Sequence, residues 1–441
     1  MGRTGLIGDN SVEFVRKLIQ IWNVGDCAVL VDWRIPKEAA AEMLRETNVT
    51  KCYISDKIAD GINRNQNIDG VEFIEYEDCR IKCEYVPDEI YEIYQDNYST
   101  DEAVILYSSG TTGKAKGIIL SHYAINTNAD MILDYMNLSK DGCLYIVKAL
   151  AHSSTLVGEL LTGLKRHIRM LLSPTICLPG NILQTINKYE ITTMCVNPSL
   201  LNLYVKAASI RKMNYHSLKT MYTSGAIIET SLLEKAQEAF GYTQILNVYG
   251  LSEAGPRVTA QRAGERNRTG SVGKVIKNVD VAIVSEDGTV LPAGEKGIIH
   301  VNTPCMFSGY VSGNRMRKSY YQDWFNTGDI GYTDEEYNLY ITGRIDNMVT
   351  VDSHNVYPEE LELFIKKIQG VTDCSIVSQK SSIHGNQLIC YYVSDYDMSV
   401  KLHEYCVSGL ASYEMPSAFC RIRELPVTNN GKKIRDLHRY Q

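Results

Sequence analysis

The chain has 441 residues, enough for about two or three hydrophobic cores rather than one. Hydrophobic residues make up 44% and charged residues 22%, which excludes a disordered chain. A net charge of -7 excludes a general nucleic-acid binder, although local groups can still hold a nucleotide. No apolar run approaches the roughly 18 residues of a membrane span, and the residues after Met1 form neither a signal peptide nor a myristoylation signal, so a cytoplasmic protein is expected. Twelve cysteines are scattered without a C-x-x-C pair. Cys79 and Cys83 are the closest two and no second pair follows at ligand spacing, which favours reduced thiols over a metal site.

Val12, Val15, Leu18, Ile19 and Trp22 recur at helical spacing, and Gly25 ends that pattern. A buried strand is predicted over residues 27–31, a helix over 37–46 and a short strand over 51–54. Strand–helix alternation continues to about residue 255 and predicts a parallel α/β sheet. From Thr269 to Tyr340 short β-rich runs, 279–284 and 297–301 among them, are divided by Asp-Gly, Ala-Gly and Ser-Gly turns, the texture of a small sheet or barrel. Beyond Asp346 strand–helix patterning resumes, with strands over 375–377 and 388–393 and a helix from Pro358 to Ile368 that carries proline at its first position. No repeat or low-complexity tract is visible. The expected fold is α/β: a large N-terminal α/β domain with a β-rich subdomain over residues 1–345, then a small α+β C-terminal domain over 346–441.

One string stands out chemically: Tyr107-Ser108-Ser109-Gly110-Thr111-Thr112-Gly113-Lys114-Ala115-Lys116-Gly117, after the apolar run Ala103-Val104-Ile105-Leu106. Glycine supplies backbone freedom, serine and threonine supply donors, and lysine supplies charge, a combination suited to a polyphosphate. It is not a P-loop, because Ala115 follows Lys114. This string resembles the phosphate loop of the adenylate-forming superfamily, which includes acyl-CoA synthetases, peptide-synthetase adenylation domains and luciferases. Further signatures of that family follow in order: Asn247-Val248-Tyr249-Gly250-Leu251-Ser252-Glu253, Asn326-Thr327-Gly328-Asp329, Gly343-Arg344-Ile345-Asp346, Val356-Tyr357-Pro358-Glu359-Glu360-Leu361-Glu362 and Asn430-Gly431-Lys432.

The resemblance implies an enzyme that makes an acyl-adenylate from ATP, Mg²⁺ and a carboxylic acid, releases pyrophosphate and passes the acyl group to a pantetheine thiol. It implies a roster of site residues. Ser108, Gly110, Thr111 and Lys116 would face the phosphates. Gly225 and Ala226, after Ser224, would lie against one face of adenine, with Tyr249 and Gly250 on the other and Asn247 at the exocyclic amine. Ser252 would contact the α-phosphate, and Glu253, helped by Thr111, would hold Mg²⁺. Asp329 would take both ribose hydroxyls, with Arg344 beside it. Lys432 would bridge the substrate carboxylate and the phosphate, leaving Lys433 as a neighbour without that role. Asp346 would be the hinge about which the C-terminal domain moves. The chemistry agrees: a carboxylate accepts from two hydroxyls, and glutamate is a hard oxygen ligand for magnesium.

The acid pocket is read from Lys148-Ala149-Leu150-Ala151-His152-Ser153-Ser154, with His152, Ser153, Ser154 and Ser224 as substrate residues and His152 also a catalytic candidate. Amino-acid-activating relatives carry an aspartate where this chain has Ser153, so an α-ammonium would lose its counter-charge. An acyl or aryl acid is therefore expected; the alternative is an amino-acid adenylation enzyme loading a peptidyl carrier protein. A nucleotide-binding relative without catalysis is disfavoured by Glu253, Asp329 and Lys432.

Two departures from the family pattern matter. The chain starts close to a helix–strand unit that in the family follows a longer N-terminal stretch, which implies a trimmed N-terminal subdomain. Asp352 and Ser353 replace the glycines of a turn that lines the thiol channel, so the acceptor, CoA or a phosphopantetheinylated carrier protein, is less defined than the adenylation.

Overall fold

The computed structural model describes residues 2–62, 68, 70–77, 83–108, 115–211, 213–313, 319, 321–352, 354–381, 385–427 and 433–436. The chain divides into two compact units. One comprises Met1–Val281, Val301–Lys318 and Tyr337–Leu339; the other comprises Ala282–His300, Ser319–Glu336 and Tyr340–Gln441.

The first unit holds two sheets. At the heart of the first lies Arg3–Gly8, parallel to Cys27–Asp32 on one side and to Lys51–Ser55 on the other. The sequence patterning did not reveal this strand, because Gly5 and Gly8 dilute its apolar signal. Its glycines serve packing: a Cβ at Gly5 would stand 2.7 Å from the Cys52 sulfur. The connecting helix Val12–Asn23 is capped by Ser11, whose hydroxyl accepts from the Phe14 amide, and it buries Phe14, Val15, Leu18, Ile19 and Ile21. Next to Cys27–Asp32 runs Glu102–Ser108, again parallel. The chain then folds back as Lys116–Ser121, antiparallel, and Gly309–Tyr310 returns from far along the chain to pair with that strand.

The second sheet has eight strands. Its centre is the parallel set Cys143–Ile146, Thr193–Val196, Thr220–Thr223 and Gln244–Tyr249. Apolar side chains from these strands, including Tyr145, Val196 and Met221, pack with Leu183, Ile186, Leu201 and Phe240 from the covering helices.

A four-stranded sheet runs in the order Asp280–Val284, Gly297–Asn302, Phe325–Thr333, Leu339–Arg344, in agreement with the β-rich texture read there. Asp373–Ser381 and Gly385–Val393 form an antiparallel pair that Ala418–Ile422 extends in parallel. Helices Pro358–Ile365 and Ser399–Gly409 contribute Leu361, Ile365, Leu402 and Cys406 to the core over this sheet. The first of these helices stops three residues before Ile368. Ile368 is nonetheless buried in the following turn, where its amide bonds the Ile365 carbonyl at 3.1 Å, so the apolar spacing outlasts the helix.

Glu362 of that helix is buried and accepts from the Ile376 amide at 2.8 Å. It pairs with Lys433 at 3.1 Å and with Arg435. Burial by itself would raise its pKa, but the Lys433 and Arg435 charges outweigh that and hold it below the ordinary value. For Lys433 burial pulls the pKa down, and Glu362 and Asp373 more than reverse this, raising it. The linkage has a definite sign. The glutamate's stabilisation is complete above its unfolded pKa of about 4.3 and is lost as pH falls through the lower folded value. The lysine's is complete below about 10.4 and is lost as pH rises through the higher folded value. Hydrogen exchange of the 358–381 peptides in the full chain is therefore expected to be slowest between about pH 5 and pH 10, after correction for the intrinsic rate, and to accelerate on the acid side first. Corrected protection that stays flat down to pH 3 would show that this cluster does not hold the unit together. No helix among the described residues is long and apolar enough to cross a membrane.

Candidate active site

Ser108 and Lys116 are opposed residues at the loop end of the hairpin made by Glu102–Ser108 and Lys116–Ser121. Gly110 and Thr111, with the rest of 109–114, lie outside the described residues. Lys116 directs its ammonium over the Tyr310 ring, 5.4 Å from the centroid. Tyr310 is brought there by the pairing of Gly309–Tyr310 with Lys116–Ser121, and its hydroxyl donates to Glu253 Oε1 at 3.0 Å. The Phe307 amide fixes the Glu253 carbonyl at 2.9 Å. A cation at the base of the glycine-rich loop and a carboxylate are thus tied to one tyrosine. No motif singled out Tyr310; only its strand pairing reveals it.

Thr220–Thr223 and Gln244–Tyr249 are adjacent parallel strands, with Thr223 opposite Asn247. Ser224-Gly225-Ala226 and Tyr249-Gly250 therefore leave the sheet side by side at its carboxyl edge, where ligands of open α/β sheets bind. Ser224 is buried and its amide bonds the Val196 carbonyl at 3.1 Å. Gly225 has φ +97° and faces open space, since a Cβ there would meet nothing within 4 Å. Ala226 is exposed and Tyr249 half-buried. Gly250 is obligatory for a different reason: a Cβ would collide with the Pro256 carbonyl at 1.8 Å. Asn247 is buried. Its backbone amide donates to Gln261 Oε1 at 2.9 Å, and its side-chain Nδ2 donates to the Ser271 carbonyl at 3.3 Å. Oδ1 has no hydrogen-bond partner. Because Nδ2 is committed, the unsatisfied group is an acceptor, and it awaits a donor.

His152 caps the helix that begins at Ser153. Its Nε2 lies 3.2 Å from Asp32 Oδ2. Asp32, at the end of Cys27–Asp32, also accepts two bonds from the Arg34 guanidinium, at 2.9 and 2.6 Å, and one from the Arg34 amide at 3.0 Å. Burial would raise the Asp32 pKa; the hydrogen bonds from Arg34 and His152 outweigh it and hold the carboxyl well below the usual range. Ser153 Oγ is 2.7 Å from Ser252 Oγ, which joins the predicted acid pocket to the predicted α-phosphate contact. The Ser154 carbonyl lies 3.5 Å from Arg257 Nη2. Sequence reasoning missed Asp32 and Arg34. The available signal was a carboxylate at the carboxyl end of an apolar parallel strand.

On the second unit, Arg344 Nη1 donates to Asp329 Oδ1 at 2.8 Å and Nη2 stands 3.8 Å from Asp346. The Asp329 amide donates to Thr327 Oγ1, which in turn bonds the Ile299 carbonyl. Asp352 occupies the two-residue turn between Val349–Val351 and His354–Val356, at φ +48°. Hairpin turns of this length demand left-handed residues, which aspartate tolerates better than most. Ser353 and Lys432 lie outside the described residues. Lys433 is engaged by Glu362, by Asp373 at 2.9 Å and by the Cys374 carbonyl.

Among the described residues no cluster of three or more His, Cys, Asp or Glu could form a metal cage. Glu253 fits magnesium differently: Oε1 accepts from Tyr310, and its carboxylate is the kind of single hard oxygen ligand that would hold Mg²⁺ beside phosphates.

Comparisons with known proteins give the chain's family and the likeness of its fold. The family model described as AMP-binding enzyme matches residues 2–311. The chain is 25% identical over 77% of its length to 4-coumarate–CoA ligase CCL1 of Humulus lupulus, and 28% identical over 76% to a long-chain-fatty-acid–CoA ligase of Bacillus subtilis (strain 168). The matches span 64% and 61% of those relatives' own lengths. The fold is similar to that of ATP-bound MatB from Rhodopseudomonas palustris, with TM-score 0.86 and 21% identity, covering 100% of this chain and 88% of that one. A glycine-opened platform beside an unsatisfied asparagine acceptor, and a lysine and a glutamate gathered on one tyrosine, are thus set in a chain that belongs to the AMP-binding enzyme family of the adenylate-forming superfamily.

Proposed function

We propose that the chain activates an acyl or aryl acid with ATP and transfers it to a pantetheine thiol. The observation that carries this is the buried Asn247 Oδ1, an acceptor without a partner at the edge of the sheet where Gly225 leaves room for a planar ring. Adenine offers a matching amine donor and a flat face. In the first half-reaction a carboxylate oxygen bonds to the α-phosphorus, and the bond to the bridging oxygen breaks as pyrophosphate leaves. Lys116, Ser252 and the 108–111 loop bind the phosphates, Asp329 oriented by Arg344 takes the ribose, and His152 and Ser153 hold the acid. Mg²⁺ held by Glu253 supplies charge neutralisation to the phosphates. Lys432 meets the attacking carboxylate and stabilises the charge gathered at phosphorus. In the second half-reaction the thiol sulfur bonds to the acyl carbon, loses its proton, and AMP leaves. The segment 346–441 turns about Asp346 between the two.

The test is pyrophosphate exchange over a panel of aryl acids, short acyl acids and α-amino acids, followed by an offer of CoA and phosphopantetheinylated carrier proteins to the loaded adenylate. Acyl or aryl acids are expected to give the stronger exchange, since Ser153 gives an ammonium no counter-charge. An α-amino acid as best substrate would replace this reading with peptide-carrier loading. For the acceptor, the Asp352 charge should disfavour the phosphate-bearing CoA nucleotide more than a protein-tethered arm. Efficient transfer to CoA that Asp352→Gly does not improve would assign the chain to CoA instead.

A further inference from the structure

Behind His152 the helix widens into a π turn, Leu156–Leu161, set between α-helical pieces. Such turns are frequent at functional sites. Here the turn carries Gly158 and Glu159. Glu159 is fully buried, and its carboxylate sits 3.0 Å from the ammonium of Lys148, itself nearly buried. The pair is an ion pair without hydrogen-bond geometry: Lys148 Nζ and both Glu159 oxygens have no directed partner. Burial raises the Glu159 pKa, and Lys148 and Arg257 only partly offset it.

Arg257 is the second cation of this cluster, 3% exposed. Asn128 clamps its backbone, bonding both its amide and its carbonyl at 3.1 Å. Its guanidinium lies against Gly158, where a Cβ would come within 2.9 Å of Nη2. Nη2 reaches the Ser154 carbonyl at 3.5 Å, Tyr135 lies beside it, and Nε has no partner. Arg257 makes no ion pair among the described residues. Two buried cations therefore share one anion. A water molecule could satisfy Nε but would leave the charge unbalanced, and a buried unbalanced charge is among the costlier features a fold can keep. What the cluster lacks is an anion, and it lacks it one residue from Ser153.

We propose that Arg257, backed by the Lys148–Glu159 pair, is a subsite for a second anionic group on the acid substrate, a carboxylate in the simplest case. This rests on the acid-activation reading above. The reacting carboxyl lies toward Ser252 and the distal anion lies against Arg257, in a place where desolvation strengthens the pairing. Glu159 lowers the net charge of the empty subsite and so limits the cost of keeping it.

The test is pyrophosphate exchange by the full chain with matched series: succinate against butyrate, glutarate against pentanoate, phthalate against benzoate. The diacid of each usable pair is expected to exceed its monoacid in kcat/KM by on the order of a hundredfold. Arg257→Met should abolish that preference and raise the melting temperature, because it removes an unpaired buried charge. Glu159→Gln should lower KM for the diacid, a change that a purely structural role for Glu159 does not produce. Monoacids that match or exceed their diacids in the wild-type chain would overturn the proposal without any variant having to fold, and so would an undiminished diacid preference in Arg257→Met. If neither series drives exchange while an α-amino acid does, the acid-activation reading fails and this subsite fails with it.

Discussion

Lys432→Ala is expected to reduce pyrophosphate exchange by on the order of a hundredfold or more, with ATP binding and fold retained. The reason is electrostatic. In the adenylation step an anion attacks an anion, and only a cation present at the moment of bonding relieves that repulsion. Its neighbour cannot take over, because Lys433 is held by Glu362 and Asp373 at 3.1 and 2.9 Å and by the Cys374 carbonyl. Moving it would take one of two cations from each carboxylate, leaving Glu362 with Arg435 and Asp373 with Lys366. Lys433→Ala should accordingly act on stability, costing the second unit on the order of 1–2 kcal/mol by halving the positive charge beside the buried Glu362, which keeps Arg435, and exchange at low temperature should suffer less than in Lys432→Ala. Thermal melts and exchange rates on both variants separate the two roles. The reverse pattern, with exchange intact in Lys432→Ala and lost from a well-folded Lys433→Ala, would shift the catalytic assignment by one residue.

Asn247→Leu should raise KM for ATP by about tenfold to a hundredfold and weaken discrimination between ATP and GTP. A site built to accept a hydrogen bond loses most when the acceptor is removed, and leucine is close to asparagine in shape. The same substitution should leave the stability of the free chain unchanged or slightly higher. It removes a buried carbonyl that has no partner and forfeits only one 3.3 Å bond to Ser271. Affinity and stability are thus expected to move in opposite directions, which a general packing defect does not do. Unchanged ATP kinetics would take Asn247 out of the nucleotide site.

Much of this protein is written locally. Apolar side chains at helical spacing announce the helix Val12–Asn23, and a proline at the first position announces Pro358–Ile365. The turn-divided strands between residues 280 and 344 form the four-stranded sheet that their patterning implies. The signatures around Ser108, Asn247 and Asp329 are likewise contiguous, each carried on a single strand, Glu102–Ser108, Gln244–Tyr249 and Phe325–Thr333, whose short-range pattern a local window contains. Other features follow from register and burial, which no short window contains. Arg3–Gly8 is central only because two later strands flank it. Tyr310 meets Lys116 and Glu253 only because its strand adds to the edge of a sheet begun much earlier. His152 meets Asp32 and Arg34 although the strands before them, Cys143–Ile146 and Cys27–Asp32, belong to different sheets, and Arg257 lies against Gly158 of the π turn across about a hundred residues of sequence. Charge alone does not select these pairings: the sequence supplies 45 basic and 52 acidic residues, and packing decides which of them are removed from water together.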